Sequence, residues 1–418
     1  MQYKTERSVN RENNKLYFYK MNHPVVVSDF LRAVYAGTKR GYKEFDVIVT
    51  DPSITVYPNA CLPIAAIIEY YKSQGIEFTY SMDENCYLKN CGFVAPLVLS
   101  AEEISNLNHP FDIIVKYTDS VQVASFTQKC VDYISHHVVC ENGILESLIW
   151  CINEVMDNVL VHSKSTYGYV LAQFHEMSKH IAICVSDTGV GIYNSLKTSK
   201  HRPARAIDAL SLAVQEGIGD GQGQGNGLFG LYQIITTNGG RLSLTSGPAS
   251  LMLNPENQLQ KFDNLPFLSR DRQCTIVDFQ MDLNKPVDIN TAFASIGGFD
   301  GFDIRIDNML QDDDILLYDV FENCKGTATR EAGKLLRNDV INIIKRTSCR
   351  VQLDFSKVKM ASSSFVDEFL AKMLIDLGVI TFNQMLRISG MNSTVKHLSE
   401  RSIYMRIAEE WGKTQQCR

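Results

Sequence analysis

The chain has no long apolar run. Its longest, around Leu62–Ile68, is far too short to span a bilayer, so no membrane segment is expected. The N-terminus, Met-Gln-Tyr-Lys-Thr-Glu-Arg, has neither an apolar stretch nor a small-residue cleavage site, and no secretory leader is expected. No cysteine pair stands as CxxC; Cys86 and Cys91 come nearest and lack a matching second pair. The 11 cysteines are odd in number and scattered from Cys61 to Cys417. That is the pattern of reduced core thiols in a cytoplasmic protein, rather than of zinc ligands or disulfides. No G-x-x-x-x-G-K-[ST] phosphate loop occurs. Basic charge is not in surplus either: the net charge is −6. No broad positive field exists to hold a polyphosphate backbone, so nucleic acid is not expected as a partner. A local site for a small anion stays open.

What is present is a globular composition, 45% hydrophobic and 21% charged. A length of 418 residues predicts two or three domains. In the first segment, 45–50 (FDVIVT) reads as a buried strand. After a loop containing Pro58, 61–74 (CLPIAAIIEYYKSQ) reads as a helix stopped by Gly75, and 76–80 (IEFTY) as a strand. The last segment repeats this order. Residues 350–355 (RVQLDF) predict a strand and Ala361–Ser364 a small-residue loop. Apolar positions 366, 369, 370, 373, 374 and 377 predict a helix ended by Gly378, and 385–389 a strand. Two such βαβ units fit an internal duplication, or a chance recurrence.

Between them lie a strand at 111–116, helices near 120–136 and 142–163, and strands at 168–174 and 180–186. A glycine-rich stretch at 217–230 leads into a helix near 227–237, and strands at 241–245 and 274–282 follow. Helices over a mixed or antiparallel sheet predict an α+β sandwich. The stretch 246–272 reads as an inserted loop and 286–303 as a linker.

Three motifs in this middle segment carry chemistry. On the helix 146–163 (ESLIWCINEVMDNVLVHS), Leu148, Ile152, Val155 and Val159 form an apolar stripe. Glu154, Asn158 and His162 stand at i, i+4, i+8 on a neighbouring face. An amide oxygen there could hold Mg²⁺ and the carboxylate could take a proton from a nucleophile; a solvated helix face has the same spacing. Next, Asp187-Thr188-Gly189-Val190-Gly191-Ile192 follows a strand. Such a carboxylate can accept from an amino group such as that of adenine, and the glycines allow close backbone approach; a tight turn with an aspartate reads the same way. Third, glycines at 217, 219, 221, 223, 225, 227 and 230 run into a helix bearing Leu228, Leu231, Ile234 and Ile235. Backbone N–H groups at such a helix start can bind phosphate; a flexible linker is the other reading. Gly225, Gly227 and Gly230 fit G-x-G-x-x-G, but no strand precedes them, which excludes the dinucleotide reading.

The order E-x-x-x-N, strand, strand, D-x-G-x-G, then a glycine stretch ending G-x-G-L-x-G resembles the ATP-binding domain shared by gyrase, heat-shock chaperones, histidine kinases and MutL. The resemblance covers roughly 110–285. It implies a Bergerat-type α/β sandwich that binds ATP with Mg²⁺. Asn158 would be the Mg²⁺ ligand, Glu154 the general base and Asp187 the adenine-binding carboxylate. Gly189, Gly191 and Ile192 would line the purine pocket. Gly223, Gly225, Asn226, Gly227, Leu228 and Gly230 would form the lid and phosphate-binding helix start, with Asp157 and His162 in support. The strand–helix–helix entry most resembles the anti-sigma-factor serine kinases. His136 and His137 are followed by Val-Val-Cys-Glu-Asn, without the acid a phosphoacceptor histidine box expects, so autophosphorylation on histidine is not expected.

Both flanks resemble STAS domains, the fold of the antagonist proteins that such kinases phosphorylate. By that resemblance Ser362, Ser363 and Ser364 are candidate phosphoacceptors; a serine-rich helix cap is the other reading. The N-terminal counterpart, Tyr57-Pro58-Asn59-Ala60-Cys61, has no serine and reads as a docking or structural module. The expected organisation is a STAS-like domain at 1–105, the ATP-binding domain at 106–285 and a STAS-like domain at 300–418. The expected role is a serine kinase acting with a regulatory protein partner, or an ATPase switch, or a non-catalytic ATP/ADP sensor. A homodimer is implied by the resemblance only.

Overall fold

Hydrophobic alternation at Phe45, Val47 and Val49 puts one face of a strand into a core, as the two-residue period requires. In the computed structural model this strand is central to the first of three open sheets, which make the chain α+β. The structure describes residues 7–219, 226–263, 274–292, 303–311, 314–324 and 326–416. They fall into two compact units, 1–130 with 146–299, and 131–145 with 300–418. The division passes through the helix Ser120–His137 and just inside the start of the helix Ile144–His162.

The first sheet of unit 1 has the order β1 (Val9–Glu12), β2 (Lys15–Phe18), β3 (Glu44–Val49), β4 (Glu77–Ser81). β1 and β2 form a hairpin, and β2, β3 and β4 are parallel. The helices Val25–Thr38 and Pro58–Ser73 make the two crossovers. Pro58, read from sequence as a loop residue, is the first residue of its helix, where a missing N–H costs nothing.

The second sheet has eight strands: β5 (Leu97–Val98), β6 (Val115–Tyr117), β7 (Gly168–His175), β8 (His180–Asp187), β9 (Arg241–Ser246), β10 (Ala249–Leu253), β11 (Leu259–Phe262) and β12 (Thr275–Asp282). Their spatial order is β11-β10-β9-β12-β8-β7-β6-β5, antiparallel throughout except for β5 with β6. Two expectations need correction. The stretch 246–272 is not simply an inserted loop, because Ala249–Leu253 and Leu259–Phe262 extend the sheet as a hairpin. The strand foreseen at 111–116 begins only at Val115. Both faces of β7 and β8 are buried. Tyr169, Leu171, Cys184 and Ile276 join the core of the N-terminal module, so its helix Pro58–Ser73 packs on this sheet.

Unit 2 repeats the topology of the N-terminal module. Its sheet runs β13 (Leu310–Gln311), β14 (Ile315–Asp319), β15 (Arg350–Asp354), β16 (Leu386–Ser389), again a hairpin followed by parallel pairs. The crossovers are the helix Arg330–Thr347 and a helical run from Ser363 to Leu377. That run is not the uniform α-helix its apolar period predicts: a π-helical turn occupies Asp367–Ala371. The shared strand order and crossovers fit the duplication read from the sequence.

Three buried polar side chains on the helix Arg330–Thr347 hold the end of the helix Ser120–His137, whose last carbonyls have no partner within their own helix. Asn338 Nδ2 donates to His136 O (3.1 Å) and His137 O (2.9 Å). Asn342 Nδ2 donates to Ser135 O (2.9 Å) and Val138 O (2.8 Å), while its Oδ1 accepts from Cys140 N (2.9 Å). Asp339 is fully buried and bound by both terminal nitrogens of Arg305, by the Tyr318 hydroxyl (2.8 Å) and by the Ser135 hydroxyl (2.7 Å). No helix among the described residues is long and apolar enough to cross a membrane. The ten described cysteines are all free thiols, eight of them buried.

Candidate functional site

The helix Ile144–His162 buries Leu148, Ile152, Val155 and Val159, the stripe the sequence predicts. That leaves Glu154, Asp157 and Asn158 half-buried on the neighbouring turns. Asn158 Nδ2 donates to Glu154 Oε1 at 3.3 Å. The i, i+4 pair is therefore a real contact, and it turns the Asn158 amide oxygen away from the carboxylate. Burial pushes the Glu154 carboxyl up; the Asn158 hydrogen bond opposes the rise, the negative Asp157 adds to it and His162 opposes it. Burial raises Asp157 as well.

Glu154 is also where the glycine-rich motif arrives. Gly227 opens the helix Gly227–Asn238, and a methyl group on its Cα would overlap the Glu154 carboxylate. Only a glycine lets the helix start come so near the acid. Asn226 stands at the N-cap position, and its side-chain Oδ1 accepts from Gly217 N at 2.9 Å. Its carbonyl accepts from Gly230 N at 2.8 Å. Gly230 is buried and Leu228 half-buried, packed on Leu196, Ala209 and Ala213. Gly223 and Gly225 lie outside the described residues.

The second motif closes on the same helix from its other end. Asp187 ends β8, is 2% exposed, and accepts from Gly189 N at 2.7 Å. Val190 N donates to Ser163 O at 2.8 Å, so the loop after β8 docks on the C-terminal end of the Glu154 helix. A methyl on Gly189 would overlap that same Ser163 carbonyl. Gly191 adopts φ +74° and begins the helix Gly191–Lys197. Ile192 N donates to the Ser246 hydroxyl at 2.9 Å. Burial raises the Asp187 carboxyl to about 7, against the backbone N–H of Gly189 and the backbone and hydroxyl of Thr275.

The three motifs, read separately along the chain, thus meet around one helix. His162 is electrically felt at Glu154. Three further residues belong here and were not singled out from the sequence. Thr275 bonds Asp187, Ser246 bonds both Ile192 N and Thr275 Oγ1 (3.2 Å), and Tyr117 donates from its hydroxyl to Met156 O (3.1 Å). Among the described residues no cluster of three His, Cys, Asp or Glu could hold a metal by itself. The donors present, one amide oxygen beside carboxylates, suit a hard cation that brings most of its ligands as phosphate and water.

In unit 2 the candidate serines sit at a helix start. Ser362 is the N-cap, its hydroxyl accepting from Phe365 N at 3.0 Å and bonding Ser364 Oγ at 3.0 Å. Ser363 is exposed. Residues 332–396, which span these serines, match the family model of a STAS-like domain of unknown function (DUF4325).

This stretch of unit 2 is similar to a STAS-like domain.

The match agrees with the expected C-terminal flank and takes in the helix Arg330–Thr347 from its third residue, β15, the serine helix and β16. The matched stretch therefore holds both the Ser362–Ser364 cap and the polar side chains of Asn338, Asp339 and Asn342. No curated protein matches the chain.

Proposed function

We propose that unit 1 is a Bergerat-type ATP-binding domain and that the chain is a Mg²⁺-dependent serine kinase of the partner-switching type, with the N-terminal module as a second STAS-like domain. The observation that carries the reading is the meeting of Glu154 with Gly227 and of Ser163 with Gly189. A helix start, a carboxylate and a strand-end turn converge at one place, as a nucleotide with its phosphates needs.

In this reading Asp187 accepts a hydrogen bond from the adenine amino group, with Thr275 beside it. Gly189, Gly191 and Ile192 form the purine wall. The N–H groups at the start of the helix Gly227–Asn238 receive phosphate oxygens, and Gly223 and Gly225 belong to the lid. Asn158 Oδ1 would hold Mg²⁺, which when bound neutralises phosphate charge. Glu154 takes the proton from a serine hydroxyl as its oxygen bonds to the γ-phosphorus and ADP leaves. A raised carboxyl pKa favours that task, since the base must be strong enough to accept the proton. The phosphoacceptor is a serine of a STAS-like protein: Ser362, Ser363 or Ser364 of this domain, or the equivalent residue of a regulatory partner.

A second reading replaces the serine by water and makes the protein an ATPase switch; the Glu154 geometry serves both. The serine cap of the STAS-like domain favours the kinase. A non-catalytic ATP sensor has no use for a base held against the helix start. The test is the intact mass of the full chain after incubation with Mg²⁺ and ATP, beside Glu154→Ala. A gain of one phosphoryl group mapped to 362–364, absent from the variant, is the kinase result. An unchanged mass with free phosphate released is the ATPase result. Neither product from protein that binds ATP removes self-phosphorylation and the ATPase switch.

A further inference from the structure

The face of the eight-stranded sheet turned toward the helix Pro58–Ser73 carries an acid with no cation paired to it among the described residues. Asp278 lies in the middle of β12, opposite Cys184 of β8 and Ser243 of β9, and is 2% exposed. Its Oδ2 accepts from Asn59 Nδ2 at 3.1 Å and from Gln280 Nε2 at 3.2 Å. Among the described residues its Oδ1 is buried without a hydrogen-bond partner, and so is Oδ1 of Asn59. Two orphaned oxygens at one contact are costly, because both have lost water and neither can donate.

One proton removes both defects. With a hydrogen on Oδ1, Asp278 donates to Asn59 Oδ1 while Asn59 Nδ2 donates to Asp278 Oδ2, a closed acid–amide pair. We propose that Asp278 and Asn59 form a proton-operated lock: the helix Pro58–Ser73 is held on the sheet by the neutral acid, and loss of that proton loosens the N-terminal module. The lock is independent of the nucleotide reading.

The groups around Asp278 agree. Burial pushes its carboxyl up to about 7, with only the Gln280 and Asn59 hydrogen bonds opposing. Cys184 on β8 and Cys61 on the helix are thiols driven further toward their neutral forms, first by burial. His180, which shares Gln280, is pushed toward its neutral form, again first by burial. Glu69, further along the helix, is paired with Lys72 and Lys116 at 3.2 Å each. The sign follows from linkage. The folded value lies above the unfolded one, so the stabilisation is whole below about pH 4 and is lost as pH rises to about 7.

The experiment is thiol labelling of the full chain, read peptide by peptide at Cys184 and Cys274, both buried in the shared core. Wild type is compared with Asp278→Asn, whose amide can donate at any pH; the ratio of the two rates cancels the titration of the thiols themselves. The lock predicts a ratio that rises about tenfold between pH 6 and pH 8. A ratio constant over that range overturns it. Asn59→Asp is the second arm, since it places two carboxylates in the contact. Labelling must then rise more steeply with pH than in wild type, and an unaltered pH profile also overturns the lock.

Discussion

The α-carbon of Gly227 rests against the carboxylate of Glu154, with no room for a methyl group between them. Gly227→Ala therefore moves the acid rather than the fold, because the overlapped atoms are the far end of a flexible side chain. A glycine-to-alanine change at a helix start is otherwise neutral or mildly stabilising. Thermal melting should stay within a few degrees of wild type while ATP turnover falls by about 10²-fold, the usual scale of a displaced general base. Turnover within a factor of two of wild type would show that Glu154 is not the base.

Gly189→Ala meets backbone instead. Its new carbon would overlap the Ser163 carbonyl, which already accepts from Val190 N. The loop after β8 has to shift, at a cost of about 1–3 kcal/mol, the range of an overpacked core. Urea unfolding measures the loss, and nucleotide binding should be lost with it. An unfolding midpoint equal to wild type contradicts this docking.

Asp187 sets a pH dependence of its own. Its carboxyl stands near 7 in the fold, above the unfolded value, so its contribution to stability declines from about pH 4 to about pH 7. Asp187→Asn should flatten that part of the stability curve. The ionised carboxylate is the stronger acceptor for the proposed adenine contact, so ATP affinity in wild type should rise through pH 7. Affinity falling over that interval argues against an amino group at Asp187.

In unit 2 the buried Asp339 depends on its charged neighbours. Arg305 holds its carboxyl well below the usual range, against the effect of burial. A depressed carboxyl stabilises above its unfolded pKa, and that part is lost as pH falls below about 4. Asp339→Ala at neutral pH leaves the buried Arg305 with only the longer Asp132 contact (3.5 Å) as counter-ion and should cost about 3–5 kcal/mol. Urea unfolding reads it; a loss under about 1 kcal/mol, the scale of an exposed pair, contradicts the assignment.

The elements easiest to read from the sequence are those with a clean period. The Leu148, Ile152, Val155, Val159 stripe and the alternation at Phe45, Val47 and Val49 mark single buried faces, and they lie where expected. The helix Arg330–Thr347 was not singled out. Its Leu336, Val340, Ile343 and Ile344 keep a helical period, but its buried face also includes Asn338, Asp339 and Asn342, which have partners some 200 positions earlier at Ser135–Cys140 that no local pattern shows. Thr275 was missed for a related reason. It reaches Asp187 only once β12 pairs with β8, and nothing local distinguishes it from any strand threonine. The hairpin at 249–262 hid among serine, proline and asparagine, which mark turns but say nothing of the strands between them. The site motifs were legible because glycine at 189 and 227 answers a steric demand that no other side chain meets.

The most direct test of the central claim is calorimetric titration of ATP with Mg²⁺ into the full chain and into Asp187→Asn. One ATP bound per wild-type chain, and none by Asp187→Asn, is the predicted result. No binding by folded wild type, or equal binding by Asp187→Asn, contradicts a nucleotide site at Asp187, Glu154 and Gly227.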